Sequence, residues 1–363
     1  MKVRISRITS YAELGRLQGH WDELSNRAHN SQVFLSSSWL LTWCDTFAHH
    51  IQSLSVFCAW DGDTLVALLP LYRPVGKPRH LYFMGTGEPE KSEVCSEYLD
   101  VLLDSDYADT GYAALMPVIM NVKETLVFPN VRADSVLKGW LEKRIPAQRL
   151  IATSPMRRYF IPLQNPPLAK SKLRKKATRY YNTFLKQENA TVTRPTELHE
   201  AMAIFHSLVK LHTRRWRKRQ TQTIFDDRDF MAFHQQLIPR LWKSKQLALT
   251  QLAVGDEVIA VFYGFLNNKS MYFYQNGINE EFKPNVSPGS IMHLVQAQYA
   301  LSEGLDEYDF LGSKPGNTYK TRLTPYHAPL FKITVYPSIV RKYREMTVLF
   351  LQKLIARFYR NWK

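Results

Sequence analysis

Apolar positions along the chain follow two periods, the two-residue period of strands and the 3.6-residue period of helices. In the first half, Ser55–Trp60 and the nearly continuous apolar run Thr64–Tyr72 predict two strands, joined by a hairpin turn at Asp61-Gly62. A third strand is predicted at Glu97–Leu103, where polar and apolar residues interleave. The other elements predicted here are helices at Trp21–Ala28, Ser36–Phe47, Tyr112–Met120 and Leu137–Lys143, and strands at Glu124–Phe128 and Tyr159–Leu163.

The second half has the same mixture of periods. Its predicted helices are Leu198–Arg217 and Asp229–Trp242, and its predicted strands are Leu247–Val254, Val258–Leu266, Met271–Tyr274, Tyr308–Leu311 and Lys332–Tyr336. The segments VFCAWDGDTLVALLPLY and LTQLAVGDEVIAVFYGFL share one pattern, a strand, a tight acidic-glycine turn and a long apolar strand. This similarity predicts two copies of one α/β unit, about half the chain apart.

Charge and composition shifts divide the chain. Asn165-Pro166-Pro167 interrupts it, and Lys170–Lys186 follows with seven Lys or Arg and no acid. Its apolar residues recur at helical spacing, which predicts an amphipathic helix whose basic face is either solvated or binds a partner. We therefore predict an N-terminal domain at 1–165, a C-terminal domain at 166–337 and a basic amphipathic helix at 338–363. That last helix is expected either to pack on its own domain or to rest on anionic lipid.

The composition, 45% hydrophobic with a net charge of +16, is that of a globular protein with a basic surface. Such a surface suits nucleic acid, anionic lipid, phosphorylated cofactors or acidic polysaccharide. The three cysteines, Cys44, Cys58 and Cys95, have no paired short spacing, which indicates a reducing compartment. The N-terminus has no apolar signal region and no apolar run reaches membrane-spanning length. We expect a cytoplasmic protein, or one peripheral at the inner membrane face.

Several motif classes are missing from the sequence. Without G-x-x-x-x-G-K-[ST] or G-x-G-x-x-G, ATP hydrolysis and nicotinamide binding are unsupported. No metal is expected, because H-E-x-x-H is absent, the cysteines lack zinc spacing, and His49 and His50 are predicted to point apart. DNA is not an expected partner, because no helix-turn-helix pattern is present.

A loop-to-helix junction at Ser287-Pro288-Gly289-Ser290 offers candidate chemistry. Either serine can cap the helix, and Pro288 fits its first turn. Gly289 lets a backbone or ligand come close, and a helix N-terminus favours anions. The junction is therefore either a phosphate site or a plain helix cap.

Two charged residues follow this helix. Asp309, on the predicted strand Tyr308–Leu311, can act as a base or hydrogen-bond a nearby loop. Lys320, just past the strand end, can steady an oxyanion or phosphate, or be a solvated lysine.

Together these residues resemble the cellulose biosynthesis (CelD-like) acyltransferases. The matching motifs are Ser287-Pro288-Gly289, Gly304-Leu305, Tyr308-Asp309-Phe310-Leu311-Gly312 and Tyr319-Lys320. Upstream, Lys172–Arg179, His212–Phe225, FLSSSWLLTWCDTF and LVALLPLY are similar to further family segments. The resemblance covers most of the chain, from about Phe34 to Tyr336.

The resemblance implies an α/β (α+β) fold, with tandem GNAT-like (N-acetyltransferase) domains related to the FemAB aminoacyltransferases and mixed sheets flanked by helices. It implies transfer of an acyl group from a thioester donor, acyl-CoA or acetyl-CoA, to an amine or hydroxyl of a sugar, polysaccharide precursor or other small or glycan acceptor. The first domain is expected to be degenerate.

The loop before the long helix departs from the usual GNAT pattern Q/R-x-x-G-x-G/A, because only SPGS is present. An acyl-carrier protein or aminoacyl-tRNA therefore stays open as the donor. The alternatives to the acyltransferase are a tRNA-dependent aminoacyltransferase of FemAB type and a non-catalytic membrane-surface scaffold in polysaccharide biosynthesis.

The resemblance and the site chemistry together assign roles. The expected catalytic residues are Asp309, Lys320, Glu97, Asp100, Tyr274 and His212. Asp309 is the first candidate for the base and the other two carboxylates the second, Lys320 would hold phosphate or developing negative charge, and Tyr274 and His212 would contact the acceptor. The expected donor-binding residues are Ser287, Gly289, Ser290, Gly312 and Lys320.

Overall fold

The computed structural model describes residues 3–361, apart from 165–167, 169, 170, 172, 176, 179–181, 183–188, 220, 268 and 317 and the side chains of 353 and 356–361. The basic helix predicted at Lys170–Lys186 lies largely outside these described residues.

The described residues form thirteen strands in one sheet, with helices packed around it. The strands are β1 (Arg4–Ile8), β2 (Ile51–Asp61), β3 (Thr64–Pro74), β4 (His80–Phe83), β5 (Leu102–Leu103), β6 (Thr125–Arg132), β7 (Leu150–Pro162), β8 (Ala190–Thr193), β9 (Leu247–Val254), β10 (Glu257–Leu266), β11 (Ser270–Ile278), β12 (Glu307–Ser313) and β13 (His327–Val335). The longer helices are α1 (Tyr11–Arg16), α2 (Gln18–Arg27), α3 (Ser37–Thr46), α4 (Ala108–Asn121), α5 (Val136–Arg144), α6 (Leu198–Lys218), α7 (Arg228–Lys243), α8 (Pro288–Ser302), α9 (Tyr319–Leu323) and α10 (Ile339–Asn361).

The two halves of the sheet repeat one strand order. The path β1-β2-β3-β4-β6 is mirrored by β8-β9-β10-β11-β12. In each path the final two strands are parallel, β4 with β6 and β11 with β12. The connection between them contains a helix. The duplicated order is what the similar hairpin segments predict, and the prediction of mixed sheets flanked by helices is confirmed.

The centre of the sheet is an exchange of strands between the halves. β13, from the second half, lies between β6 and β7 and is antiparallel to both. β7, from the first half, is antiparallel to β12 of the second. One continuous sheet therefore crosses the predicted domain boundary at 165. The domain boundaries at 165 and 337 stay a proposal.

Burial on both faces explains the apolar runs. From Leu65 to Tyr72 every residue of β3 is buried. A strand covered on both faces loses the polar alternation of a half-exposed one. The largest cluster packs Trp21, Trp39 and Trp43 of α2 and α3 with residues of both halves of the sheet. A second cluster lies between α8 and the strands of the second half.

The strand predicted at Glu97–Leu103 is wrong, because only Leu102–Leu103 is extended in the sheet. Cys95 and Tyr98 have φ values of 50° and 62°. Such left-handed backbone is uncommon for residues with a side chain and is incompatible with a regular strand. We call the segment 88–100 the carboxylate loop, because it carries Glu88, Glu90, Glu93, Glu97 and Asp100.

None of the helices within the described residues combines the length and the apolar character needed to cross a bilayer.

Candidate active site

The candidate site begins where two parallel strands separate. β11 and β12 pair only from Ser270 to Tyr272 and from Glu307 to Asp309. Beyond that point β12 bulges, since its register with β7 shifts between Asp309 and Gly312 and Leu311 has a φ of 61°. A bulge diverts its strand and re-aims the side chains around it.

Asp309 shapes this bulge. Its Oδ1 accepts the backbone N–H of Leu311 at 2.6 Å and the hydroxyl of Tyr98 at 3.1 Å. Its Oδ2 lies 3.1 Å from Nη1 of Arg158 on β7, and the carboxylate is fully buried. The same guanidinium also contacts the carboxylate of Glu307. These contacts suit a positioning role for Asp309, and its role as the base stays a prediction.

The backbone of the bulge brings two charged residues together. Lys320 Nζ, in the first turn of α9, donates to the carbonyl oxygens of Leu311 at 3.1 Å and Gly312 at 2.7 Å. The Gly312 N–H donates to Glu97 Oε2 at 2.7 Å, so the carboxylate loop of the first half is tied to β12 of the second. Burial raises the pKa of Glu97 to about 7, opposed by the charge of Lys320. Burial likewise lowers the pKa of Lys320, opposed by Glu97.

A cavity of about 270 Å³ opens at this point. Its charged lining consists of Glu90, Glu93, Glu97 and the cation Lys320. The other lining residues are Cys95, Ile224, Phe230, Phe273, Tyr274, Gln275, Phe310, Leu311, Gly312 and Tyr319. Sequence reasoning missed Glu90 and Glu93. The sequence does mark this region, because five carboxylates lie between residues 88 and 100 in a chain of net charge +16.

Tyr274 and Asp100, two other predicted catalytic residues, are already hydrogen-bonded within the fold. Tyr274 lines the cavity, but its hydroxyl donates to the Val94 carbonyl at 2.9 Å and lies 3.1 Å from His234 Nε2. Asp100 lies outside the cavity lining. Its carboxylate accepts hydrogen bonds from the N–H groups of Val101, Val136 and Leu137, and the last two bonds cap the N-terminus of α5. Burial raises the pKa of Asp100 to about 6. A catalytic role for Asp100 is therefore not supported.

His212 also lies outside the cavity lining. Its Nε2 accepts the indole N–H of Trp216 at 2.9 Å, so Nδ1 carries the proton and donates to Thr223 Oγ1 at 2.7 Å. Burial lowers the pKa of His212 to about 4, so the ring is neutral at pH 7. Both ring nitrogens are used inside the fold, which does not support the predicted contact with the acceptor.

The junction at Ser287 is packed more tightly than predicted. Pro288 occupies the first turn of α8, but the Ser287 hydroxyl contacts the Ser290 hydroxyl at 2.9 Å and caps no backbone N–H. The N–H groups of Ser290 and Ile291 already bond to the Ser287 carbonyl. A Cβ at Gly289 would lie 2.6 Å from Ile278 Cδ1, so glycine permits close packing there. Ser287, Gly289 and Ser290 lie outside the cavity lining.

One group of side chains could hold a metal ion. The ligand atoms of His49, His50 and Asp229 all lie within 4.8 Å of one another, and no second such group is found among the described residues. The two imidazole centroids are 4.2 Å apart, so the prediction that the rings point apart is wrong. None of the three lines the cavity.

Comparison with known proteins shows what this chain is similar to. Residues 171–321 match the model of the acetyltransferase (GNAT) domain. FemX superposes with a TM-score of 0.60 at 12% identity, covering 92% of this chain and 98% of that one. L-PGS from Bacillus licheniformis gives 0.54 at 10% identity, covering 91% and 92%. A C-terminal domain (DUF2156) from Agrobacterium fabrum gives 0.53 at 11% identity, covering 94% and 98%. No curated protein matches the sequence.

Residues 171–321 are therefore similar to the GNAT acetyltransferase domain, and the chain is an enzyme of the acyltransferase class. The predicted GNAT fold is confirmed, and a non-catalytic scaffold is not supported. The more specific resemblance to cellulose biosynthesis acyltransferases stays a prediction.

Arg158→Ala should lower the free energy of unfolding by about 3–5 kcal/mol, because it leaves the buried Asp309 and the partly buried Glu307 without their cation. Arg157→Ala, on the exposed neighbour in β7, should change it by at most about 0.5 kcal/mol. Urea denaturation of both variants checks this, and equal losses would contradict the role given to Arg158.

Gly312→Ala should reduce kcat/KM for acyl transfer about 100-fold through misplacement of the Glu97 carboxylate. The added Cβ would lie 2.8 Å from Glu97 Oε1 and 2.9 Å from Leu330 Cδ1. Gly139→Ala is the control, because its Cβ would meet nothing within 4 Å. Steady-state kinetics with circular dichroism measures activity and folding together, and a folded, fully active Gly312→Ala would show that this contact does not position the carboxylate.

Proposed function

We propose that the chain transfers an acyl group from an acyl-CoA thioester to the amine of a small acceptor bound in the 270 Å³ cavity. The observation that carries the proposal is the meeting of Glu97 and Lys320 at the point where β11 and β12 separate. A base that takes the proton of the nucleophile and a cation near the carbonyl oxygen are groups that promote acyl transfer.

The donor would enter between the separated strands. Phe273 and Phe310 supply apolar walls for an acyl chain, and Lys320 lies where developing negative charge on the thioester oxygen would be stabilised. The phosphates of the donor would lie at Ser287, Gly289 and Ser290, where the hydroxyl groups would bind them because two N–H groups of this turn are already bonded. An acyl-carrier protein, which presents the same kind of thioester, is the alternative donor.

The acceptor would enter from the carboxylate loop. An ammonium acceptor first gives one proton to solvent. The neutral amine nitrogen then attacks the thioester carbonyl, its proton passes to the Glu97 carboxylate, the C–S bond breaks, and the leaving thiolate takes up that proton to become the thiol. A base with a pKa of about 7 suits proton removal at neutral pH. Glu90 and Glu93 add negative charge to the rim. A cationic amine would be attracted to such a rim, and a phosphorylated hydroxyl compound repelled.

The negative charge of the cavity lining limits the class of acceptor but does not identify the compound. An amino sugar or another amine-bearing precursor of a polysaccharide meets the charge requirement, whereas an acidic sugar does not. The first half would contribute the carboxylate loop and no donor cleft of its own, in keeping with the degenerate domain predicted from the sequence.

Acetyl-CoA and a longer acyl-CoA should bind with micromolar affinity in calorimetry, and Lys320→Ala should weaken binding at least about tenfold through loss of a charge-assisted contact. The matched control is Lys314→Ala, which removes an exposed lysine from the loop after β12. Absence of binding by both thioesters would exclude this donor and direct the search to acyl-carrier protein and aminoacyl-tRNA.

The dependence of kcat/KM on pH should show a limb that rises through about pH 7. Burial raises the folded-state pKa of Glu97 above its ordinary value, so the carboxylate that acts as base forms only as the pH passes about 7. Glu97→Gln should remove this limb and lower kcat by about 100-fold, whereas Glu303→Gln, on an exposed glutamate, should not.

Asp309→Asn separates the two candidate bases. This variant should lower activity because the bulge in β12 is disturbed, but kcat/KM should still rise through about pH 7. If that rise is lost in Asp309→Asn and kept in Glu97→Gln, Asp309 is the base.

A tRNA-dependent aminoacyltransferase is the second candidate. The fold shared with FemX and the net charge of +16 favour it. Binding of aminoacyl-tRNA that weakens steeply with salt, together with transfer of the aminoacyl group, would support this function over the CoA-dependent one. Contact with the inner face of a membrane is a separate proposal and depends on α10, not on this cavity.

A further inference from the structure

α10 exposes an unusual amount of apolar surface. Of the sixteen exposed large hydrophobic residues in the described part of the chain, ten lie on this helix. Ile339, Tyr343, Met346, Phe350 and Leu354 follow one another at intervals of three or four residues, so they form a stripe along one face. Their exposed fractions are 45%, 65%, 45%, 62% and 36%.

The opposite face of α10 attaches the helix to the protein. Glu345 accepts the hydroxyl of Thr125 at 2.9 Å and lies 3.3 Å from His80 Nε2. Arg341, one turn earlier, pairs with Glu345 at 2.6 Å. At 100° per residue these two positions lie roughly 140–180° from Tyr343 and Phe350. The stripe therefore points away from the body while polar bonds fix the helix.

The surroundings of the stripe are positively charged. From residue 340 to 363 the sequence has seven Lys or Arg and one acid, and the acid is Glu345, which is already paired. Arg79, His80, Arg341 and Arg344 line a cavity of about 330 Å³ together with Glu345, Val348 and Leu349. A helix with an apolar stripe on one face and cations on the other face is the pattern of a helix lying in a bilayer interface.

We propose that α10 binds the chain to the surface of an anionic phospholipid bilayer, with the stripe at the acyl boundary and a headgroup phosphate beside Arg79 and Arg344. A second copy of the chain is disfavoured as the occupant, because paired stripes would bring two strongly basic helices together. The proposal does not depend on the acyl-transfer reaction, because none of these residues lines the candidate active site.

Flotation of the full chain with vesicles tests the proposal. Vesicles of phosphatidylcholine mixed with phosphatidylglycerol should bind the chain, and vesicles of phosphatidylcholine alone should bind it at least about tenfold less, with binding falling as salt is raised. The double variant Phe350→Ser, Leu354→Ser should lose about tenfold or more of the partition coefficient, since apolar burial drives insertion.

Leu301→Ser is the matched control, because Leu301 is also helical and is 38% exposed, close to the 36% of Leu354. It should bind vesicles as the unchanged chain does. Binding of the double variant at the unchanged level, or no preference for the anionic vesicles, would overturn the proposal. A dimer in sedimentation that the two serines dissociate would also overturn it, in favour of a second copy on the stripe.

Discussion

The buried contact of Arg158 with Asp309 and Glu307 is the constraint on which the rest of the site depends. It joins β7 of the first half to β12 of the second, inside a sheet where an unpaired charge would be costly. Because Arg158 holds Oδ2 of Asp309, Oδ1 is free to accept the N–H of Leu311 and sustain its left-handed backbone. The turned backbone then presents two carbonyls to Lys320 and one N–H to Glu97.

The two halves differ at the point where their parallel pairing ends. In each half the parallel pairing is followed by a pair of phenylalanines. Phe83 and Phe128 are fully buried and their ring centroids are 4.8 Å apart. Phe273 and Phe310 are 6.4 Å apart and face the cavity. In the first half, the chain after β4 instead leads into the carboxylate loop, which reaches the cleft of the second half.

Much of the fold could be predicted from sequence because periodicity reports burial directly. The apolar run of β3 and the amphipathic helix α6 are examples, and both were found within a few residues of their observed ends. Glu97–Leu103 alternates polar and apolar residues, so the sequence predicts a strand there. The left-handed backbone of Tyr98 could not be predicted, because a tyrosine gives no sign of that conformation. Lys320 is singled out by its place just past a strand end. The contact of Asp309 with Arg158 joins residues 151 positions apart in the chain, which a local pattern does not report.

The exchange of β7 and β13 has a consequence for the history of the chain. A duplicated gene usually yields two modules that can be cut apart, reordered or replaced. Here each module has given its last strand to the centre of the common sheet, so neither retains a complete sheet by itself. Separating the two modules would expose unpaired strand edges. The two halves must therefore be inherited and folded as one unit, because each completes the sheet of the other.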